Sequence, residues 1–240
     1  MPHMVKKSGE VERVKTNIPG FDETIHGGLV KNSLNLLAGG PGSGKTIFCL
    51  QFIYNGIQDF NEHGLVISFD ESYAGMIGDG KQFGWDFDEL QKNKKCVFLA
   101  FQPFDHNDIK TEISKAIKNY NVKRVVIDSL SVFSIAFKDD AYRLRKEFYR
   151  LATFLKDLDC TVIVTSEVNG EAPLDITSAG NSLTRDVLIE YVADSVITMH
   201  NSGIGGEADR AIRAVKMRRT NHRRDPIPMK ITEKGIVMEG

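Results

Sequence analysis

Short apolar runs alternate with amphipathic stretches along the first two thirds of the chain. The apolar runs are continuous and rich in β-branched residues, as in Val125-Val126-Ile127, which is typical of strands that are buried on both faces. The stretches between them have the spacing of helices that pack one face against a sheet. The pattern therefore predicts an α/β fold with a mainly parallel central sheet flanked by helices.

The predicted elements extend over most of the chain, and their character changes after Gly203. There, short runs separated by turn signals predict an antiparallel extension of the sheet. The predicted strands cover residues 34–38, 65–69, 97–101, 124–127, 161–165, 211–216, 229–231 and 235–238, and the predicted helices cover residues 46–59, 73–83, 108–120 and 140–158. No low-complexity linker divides the chain, so we expect an N-terminal extension over residues 1–15 and one folded domain over residues 16–240.

Composition narrows the function only slightly. The 31 basic and 32 acidic residues give a net charge of −1, so binding to nucleic acid or to membranes would need a local cluster of charge. No apolar run has the length of a membrane span or the pattern of a signal peptide, and we expect a cytoplasmic protein that does not bind membranes. Cys49, Cys96 and Cys160 are too far apart for a zinc site and odd in number, which predicts buried reduced thiols.

A phosphate-binding loop is the clearest chemical signal. The segment from Gly39 to Thr46 fits G-x-x-x-x-G-K-[ST] and lies between a predicted strand and a predicted helix. In such a loop the backbone N–H groups converge on phosphate oxygens, Lys45 reaches the β- and γ-phosphates, and Thr46 ligates Mg²⁺. The residues that we assign to the nucleotide here are Gly40, Pro41, Gly42, Ser43, Gly44, Lys45, Thr46 and Ile47.

A second metal-binding group is expected at the end of a buried strand. Asp128 directly follows the run Val125-Val126-Ile127, and we predict that it holds the magnesium together with Thr46. On its own, an aspartate at this place is also typical of a residue that caps a turn. The phosphate-binding loop upstream favours the metal role.

Hydrolysis also needs a carboxylate that orients or deprotonates water. Asp70 and Glu71 follow a predicted strand, and strand ends beside a phosphate-binding loop face the ligand in such sheets. The same two residues would equally suit the start of a helix, with Ser72 as its cap. The sequence leaves both interpretations open.

Several further segments together resemble the KaiC family of ATPases and its single-domain archaeal members. The resemblance runs from Thr16 to Gly235 and is carried by Pro19-Gly20-Phe21-Asp22, His26-Gly27-Gly28-Leu29, the phosphate-binding loop, Asp70-Glu71-Ser72, Phe83-Gly84-Trp85-Asp86, Val126-Ile127-Asp128-Ser129, Thr165-Ser166-Glu167 and Lys216-Met217-Arg218. It implies a RecA-like P-loop NTPase fold, Mg-dependent ATP hydrolysis, a ring that is a hexamer, and regulation through protein partners that the sequence does not name.

The resemblance also implies a nucleotide site shared between neighbouring subunits. The neighbour's Lys-x-Arg motif corresponds to Lys216 and Arg218, where two cations would offset charge on the γ-phosphate. The catalytic residues are then Lys45, Asp70, Glu71, Lys216 and Arg218, and the further nucleotide-binding residues are Lys216, Met217, Arg218, Thr220, His222, Thr232 and Glu233. Without the family, residues 216–224 would be interpreted as a solvated basic hairpin.

The chain departs from the family pattern at two places. The family usually has a glutamate where this chain has Asp70, a carboxylate that is one methylene shorter, so either the water shifts or Glu71 becomes the base. The phosphorylated Ser-Thr pair of the family's autokinase half falls on Glu190 and Tyr191. Because Glu190 has no hydroxyl, the sequence favours an ATPase without self-phosphorylation, and Tyr191 is interpreted as a core residue.

A recombinase-like ATPase that binds DNA, single-stranded DNA included, and acts in DNA repair is the alternative function, because single-domain members of the family also resemble RadA paralogues. Five basic residues near the C-terminus would be able to track phosphates, namely Arg218, Arg219, Arg223, Arg224 and Lys230. The sequence shows no helix-hairpin-helix domain and none of the basic and aromatic interleaving that a single-strand groove needs.

Overall fold

A nine-stranded sheet covered by helices on both faces forms the body of the protein. The structure, a computed structural model, describes residues 11–69, 71–101, 109–131, 140–168, 187–203 and 209–239. The strands are β1 (Arg13–Val14), β2 (Leu29–Val30), β3 (Leu34–Gly39), β4 (His63–Ser68), β5 (Cys96–Ala100), β6 (Val122–Asp128), β7 (Thr161–Glu167), β8 (Ser195–Asn201), β9 (Arg210–Met217), β10 (Ile227–Thr232) and β11 (Gly235–Met238).

The helices alternate with the parallel strands, as the pattern predicted. They are α1 (Phe21–Thr24), α2 (Lys45–Phe60), α3 (Tyr73–Gln82), α4 (Phe87–Lys92), α5 (Ile109–Tyr120), α6 (Ala141–Lys156) and α7 (Val187–Val192). β1 and β2 form a separate antiparallel pair, and the other nine strands form one sheet in the order β11-β10-β9-β8-β3-β7-β6-β4-β5.

Six neighbouring strands, from β8 to β5, are parallel, and β9, β10 and β11 continue the sheet in antiparallel fashion. The mainly parallel sheet with an antiparallel C-terminal extension is thus confirmed. All six parallel strands end at one edge of the sheet, which we call the carboxyl edge. Gly39 pairs there with Glu167 on one side and with Met199 on the other. The opposite edge, where these strands begin, is the amino edge.

Besides α1, α7 and the β1–β2 pair, the sequence pattern missed two elements. One is β8, which lies between β3 and β9 and joins the parallel strands to the antiparallel ones. The other is α4, whose N-cap Asp86 accepts a hydrogen bond from the N–H of Glu89 at 2.9 Å. The Asp86-x-x-Glu89 spacing is a helix-start signal that reasoning from sequence would have been able to use.

Separate hydrophobic cores cover the two faces of the sheet. α2, α3 and α4 pack on one face around residues such as Phe48 and Phe52, while α5 and α6 pack on the other around residues such as Ile113 and Phe148.

A buried arginine links the helix that follows the phosphate-binding loop to strand β6. Arg124 is 1% exposed, its guanidinium stacks on Phe52 at 4.6 Å, and it donates to Glu62 at 2.7 Å. It also donates to the carbonyls of Phe52 and Lys15, each at 2.9 Å. Burial of a charge is tolerated when it is paired and fully hydrogen-bonded, and here it fixes β6 and its terminal Asp128 against α2.

All three cysteines are buried, as predicted, and burial raises the pKa of the Cys160 thiol to about 12. Within the described ranges, no helix combines the length and the apolar character needed to cross a membrane.

Candidate nucleotide site

The phosphate-binding loop connects β3 to α2 at the carboxyl edge. Gly42 and Gly44 have φ angles of 70° and 95°, which lie in the left-handed region that residues with a side chain avoid. Gly44 is the N-cap residue of α2, and it has no side chain that would accept a hydrogen bond from the first N–H groups of the helix. The first N–H groups of a 16-residue helix therefore face the loop without a side-chain acceptor, which is the arrangement that binds phosphate.

Two polar side chains of the loop have bonding capacity that a phosphate would satisfy. Lys45 Nζ donates to the carbonyls of Gly39 and Gly40 at 2.9 and 3.0 Å, and burial lowers its pKa, with Asp128 and Glu167 acting in the opposite direction. The hydroxyl of Ser43 is buried and has no hydrogen-bond partner within the described part of the chain. A buried hydroxyl without a partner is costly, so both side chains fit a phosphate ligand.

The two predicted metal ligands lie in contact. Thr46 donates a hydrogen bond from Oγ1 to Asp128 Oδ2 at 2.7 Å, and Thr165 donates to Asp128 Oδ1. An adjacent hydroxyl and carboxylate at the end of a phosphate-binding loop form the oxygen ligand set that Mg²⁺ prefers. Thr165 was missed as a functional residue. Its position in β7, beside β6, would have indicated that it orients Asp128.

The candidate base lies at the same edge. Asp70 falls outside the described residues, whereas Glu71 is tied to the end of β4 by Ser68 Oγ, which receives the N–H of Glu71 at 3.0 Å. Burial raises the pKa of the Glu71 carboxyl, and the negative charges of Asp79 and Asp128 raise it further. Ser72 caps α3 by accepting from Gly75 at 3.3 Å. Ser72 is thus the cap that the helix-start interpretation predicted, and Glu71 lies directly before that helix.

Two groups that sequence reasoning missed hold the tip of the loop. Asn201 Nδ2 and Arg210 Nε both donate to the carbonyl of Gly42, at 3.4 and 3.3 Å. Asn201 ends β8 and Arg210 begins β9, so the join between the parallel and antiparallel strands supports the loop.

Thr232 and Glu233 also lie toward the carboxyl edge. Thr232 ends β10 and Glu233 directly follows it, and this strand runs antiparallel to β9 and therefore in the direction of β3. Ile231 belongs to the same strand end, and a Cβ placed on Gly44 would lie 3.3 Å from its Cδ1. Thr232 Oγ1 donates to the carbonyl of Gly235 at 2.9 Å, and Glu233 is exposed.

Lys216, Met217 and Arg218 lie toward the amino edge instead. Lys216 pairs with Val196, which pairs in turn with Leu36. Leu36 precedes Gly39 by three residues, so Lys216 lies about 10 Å back along the sheet from the start of the phosphate-binding loop. Arg218 lies farther back, beyond the end of β9. These cations therefore do not reach the phosphate-binding loop of their own chain.

The carboxyl end of α7 holds both cations. Lys216 Nζ donates to the carbonyls of Glu190, Tyr191 and Ala193 at 2.9, 3.1 and 2.8 Å, and Arg218 Nη2 donates to the carbonyl of Tyr191 at 3.1 Å. Helix-end carbonyls attract cations. Burial lowers the pKa of Lys216, and repulsion by Arg218 lowers it further.

Asp194 completes this arrangement. Its carboxylate accepts hydrogen bonds from Lys156 Nζ and the N–H of Leu34, both at 3.1 Å, and lies 4.0 Å from Arg218. Tyr191 is 70% exposed, so its interpretation as a core residue was wrong. The segment is apolar in sequence, but the side chain of Tyr191 points away from the sheet that buries Ile189 and Ala193.

Thr220 and His222 lie in the connection between β9 and β10. Arg13 Nη1 donates to Thr220 Oγ1 at 3.1 Å, and His222 Nε2 is buried without a partner in the part of the chain that the structure describes.

The five basic residues considered for DNA binding differ in their surroundings. Lys230 pairs with Glu239, and Arg218 donates to the carbonyl of Tyr191. Arg219, Arg223 and Arg224 are exposed.

Comparison with known proteins supports the same family over almost the whole chain. The family model described as "ATPase: KaiC" matches residues 14–239. The UPF0273 protein MJ1359 of Methanocaldococcus jannaschii is 31% identical over 95% of this chain and 96% of its own length. A circadian clock oscillator protein KaiC from Prochlorococcus marinus is 32% identical over 95% of this chain, which spans only 46% of that protein.

A solved structure agrees with both the sequence matches and the fold. The KaiC-like protein PH0186 from the archaeon Pyrococcus horikoshii is 32% identical in sequence and superposes with a TM-score of 0.84. The match covers 96% of this chain and 100% of the PH0186 chain. Its length matches that of this chain, and the RecA-like arrangement of the sheet is shared. The chain belongs to the KaiC family of ATPases.

Proposed function

We propose that this protein binds ATP with Mg²⁺ and hydrolyses it at sites formed between neighbouring copies in a ring. The observation that carries the proposal is the separation of two groups of site residues. Lys45, Thr46 and Asp128 lie at the carboxyl edge, whereas Lys216 and Arg218 lie toward the amino edge of the same sheet. Contact between a P-loop and these cations therefore needs two copies of the chain.

Each group of residues has a distinct part in the reaction. The loop N–H groups, Ser43 and Lys45 hold the β- and γ-phosphates in place. Thr46 and Asp128 supply oxygen ligands to Mg²⁺, which offsets the charge of the phosphates when bound. Thr232 and Glu233 lie at the same strand end as the residues that contact Gly44 and are proposed to line the nucleotide.

The carboxylates that follow β4 are proposed to activate the attacking water. Glu71, whose raised pKa makes it a stronger base than an exposed glutamate, accepts the proton of water or orients it, with Asp70 as the other candidate. Lys216 and Arg218 from the neighbour offset the charge that develops on the γ-phosphate during its transfer. Met217, Thr220 and His222 accompany these cations on the neighbour's side.

A hexamer is the assembly that the family resemblance implies, and a cytoplasmic regulator acting through protein partners is the corresponding cellular role. Glu190 and Tyr191 stand in place of a phosphorylated pair, so transfer of the phosphoryl group to water is proposed rather than to the protein. Incubation with labelled ATP and intact-mass analysis would show no phosphorylated protein.

The mass of the protein in solution tests the assembly. Light scattering with and without Mg-ATP, combined with turnover measured over a range of protein concentrations, should show a ring whose formation parallels turnover per subunit. A protein that stays monomeric while reaching its full turnover would contradict the shared site. It would leave ATP binding at the phosphate-binding loop unaffected, which separates the two parts of the proposal.

A further inference from the structure

The surface formed by α5 and α6 carries most of the positive charge among the described helices. The two helices contain eight basic and two acidic residues, in a chain whose net charge is −1. They lie side by side, since Lys110 Nζ donates to the carbonyl of Arg150 at 3.3 Å and lies 5.8 Å from the centre of the Phe154 ring. On the other face of the sheet, α2, α3 and α4 contain three basic and four acidic residues. The net positive charge of these helices thus lies on one face of the sheet.

Two large aromatic side chains project from the same surface. Tyr142 is 78% exposed and Tyr149 is 58% exposed, although aromatic rings are usually covered in a folded protein. They are seven residues apart, which places them on one side of the helix and about 10 Å apart along its axis. Lys146 and Arg150 occupy the positions four and eight residues after Tyr142, so rings and cations alternate along one stripe.

The charges of this stripe are weakly compensated. Arg150 pairs with Glu147 at 2.8 Å, with both side chains partly exposed, and such surface pairs contribute little. In the described ranges, Arg145 and Lys146 have no ion pair. Lys118 on α5 is exposed as well. The surface therefore combines exposed cations with solvent-facing rings, which a polyanion with flat apolar groups would complement.

We propose that the α5–α6 surface binds single-stranded nucleic acid, with Arg145, Lys146 and Arg150 on its phosphates and Tyr142 and Tyr149 stacked on its bases. Unstacked bases offer faces to aromatic side chains, whereas the bases of a duplex are stacked on one another. The cations alone would bind any polyanion, and it is the exposed tyrosines that favour a single strand. The basic and aromatic interleaving that the sequence did not reveal is present here, away from the basic C-terminal segment.

The test uses the full chain and a fluorescently labelled deoxythymidine strand of about 30 nucleotides, long enough to exceed the site size of a typical single-strand binding surface. Anisotropy titrations at several salt concentrations should give an affinity that falls steeply with salt. Arg145→Glu/Lys146→Glu should weaken binding about tenfold or more and reduce the salt slope by about 0.7 for each cation that contacts a phosphate. Tyr142→Ala/Tyr149→Ala should weaken binding to the single strand about fivefold or more while changing the salt slope little.

Matched controls separate this surface from other sources of binding. Arg223→Glu/Arg224→Glu makes the same change of charge on the connection between β9 and β10 and should leave affinity within about twofold. A duplex of the same length should bind more weakly than the single strand and should be insensitive to the tyrosine substitutions. Circular dichroism and mass in solution confirm that every variant keeps its fold and assembly.

Three results would overturn the proposal. One is the absence of salt-dependent binding by the wild-type chain. Another is an equal loss of affinity in Arg223→Glu/Arg224→Glu, which would assign binding to the C-terminal basic segment. The third is a change of assembly mass in the tyrosine variant without loss of DNA binding, which would make this surface an interface between copies of the chain.

Discussion

The two edges of the sheet hold their functional residues in different ways. At the carboxyl edge Lys45, Thr46 and Asp128 are brought together by one chain, with Thr46 and Asp128 in direct contact. Toward the amino edge Lys216 and Arg218 are held by the carbonyls that end α7. The first edge brings together the groups that the proposed nucleotide site needs, and the second holds a pair of cations in place. This difference supports the proposal that two copies of the chain form the site together.

Lys45→Ala tests the carboxyl edge and should have the largest effect. Loss of a partly buried cation that would face the phosphates should reduce ATP affinity about 10³-fold or more. The fold should be retained, because Lys45 contacts only loop carbonyls among the described residues. Calorimetric titration measures the affinity, and Lys234→Ala, an exposed substitution, is the control. Wild-type affinity in the folded variant would remove the phosphate-binding assignment.

Arg218→Ala tests the amino edge, where the defect should be in turnover rather than in binding. A cation that acts on charge developing in the transition state lowers the barrier more than it stabilises bound substrate, so kcat should fall by as much as ~10³-fold. ATP affinity should change by only a few fold. Arg223→Ala, on the same connection, should behave as wild type. Equal losses in affinity and turnover would instead assign Arg218 to simple substrate binding.

The two edges also differ in how far the sequence predicted them. The loop from Gly39 to Thr46 and the terminal Asp128 are local signals at strand ends, and the structure brings them together as expected. The position of Lys216 depends on its pairing with Val196 in β8. That strand was overlooked although Val196-Ile197-Thr198 is a β-branched run like those of the predicted strands. Its pairing with β3 and β9, by contrast, depends on contacts distant along the chain and has no local signal.

Exposure was the other property that pattern did not determine. Tyr191 lies in an apolar segment and was interpreted as core, yet its side chain is 70% exposed, because a helix of six residues buries only one side. The tyrosines of α6 were likewise not recognised as surface residues, since helical periodicity assigns a face only once the buried side is known. Thr165 was overlooked because its role depends on the neighbouring strand β6.

Glu71→Gln sharpens the assignment of the base at the carboxyl edge. Because burial raises the pKa of Glu71, a reaction that uses its carboxylate loses rate as pH falls through that raised pKa. This loss begins at a higher pH than an ordinary glutamate, with a pKa of about 4.3, would give. Glu71→Gln should remove this acid limb and lower kcat about 10²-fold or more. An unchanged pH profile with near-normal rate would assign the base to Asp70.

Asp194→Asn should have the smallest effect and probes how the amino edge is held. The amide keeps an acceptor for the N–H of Leu34 but loses the charge that faces Lys156 and Arg218. Turnover should fall severalfold with ATP affinity unchanged, and the free energy of unfolding should fall by about 1–3 kcal/mol. Denaturant unfolding and steady-state kinetics provide the two readouts. A loss of stability with normal turnover would restrict Asp194 to a structural role.

Mixing of two inactive variants tests the shared site most directly. Arg218→Ala subunits retain an intact carboxyl edge, and subunits carrying Asp70→Ala and Glu71→Ala retain an intact amino edge. If the site is shared, rings assembled from both contain some interfaces with two intact halves, and turnover of the mixture should exceed that of either variant alone. With subunit exchange confirmed by mass, failure of every mixing ratio to raise turnover would contradict a site formed between copies.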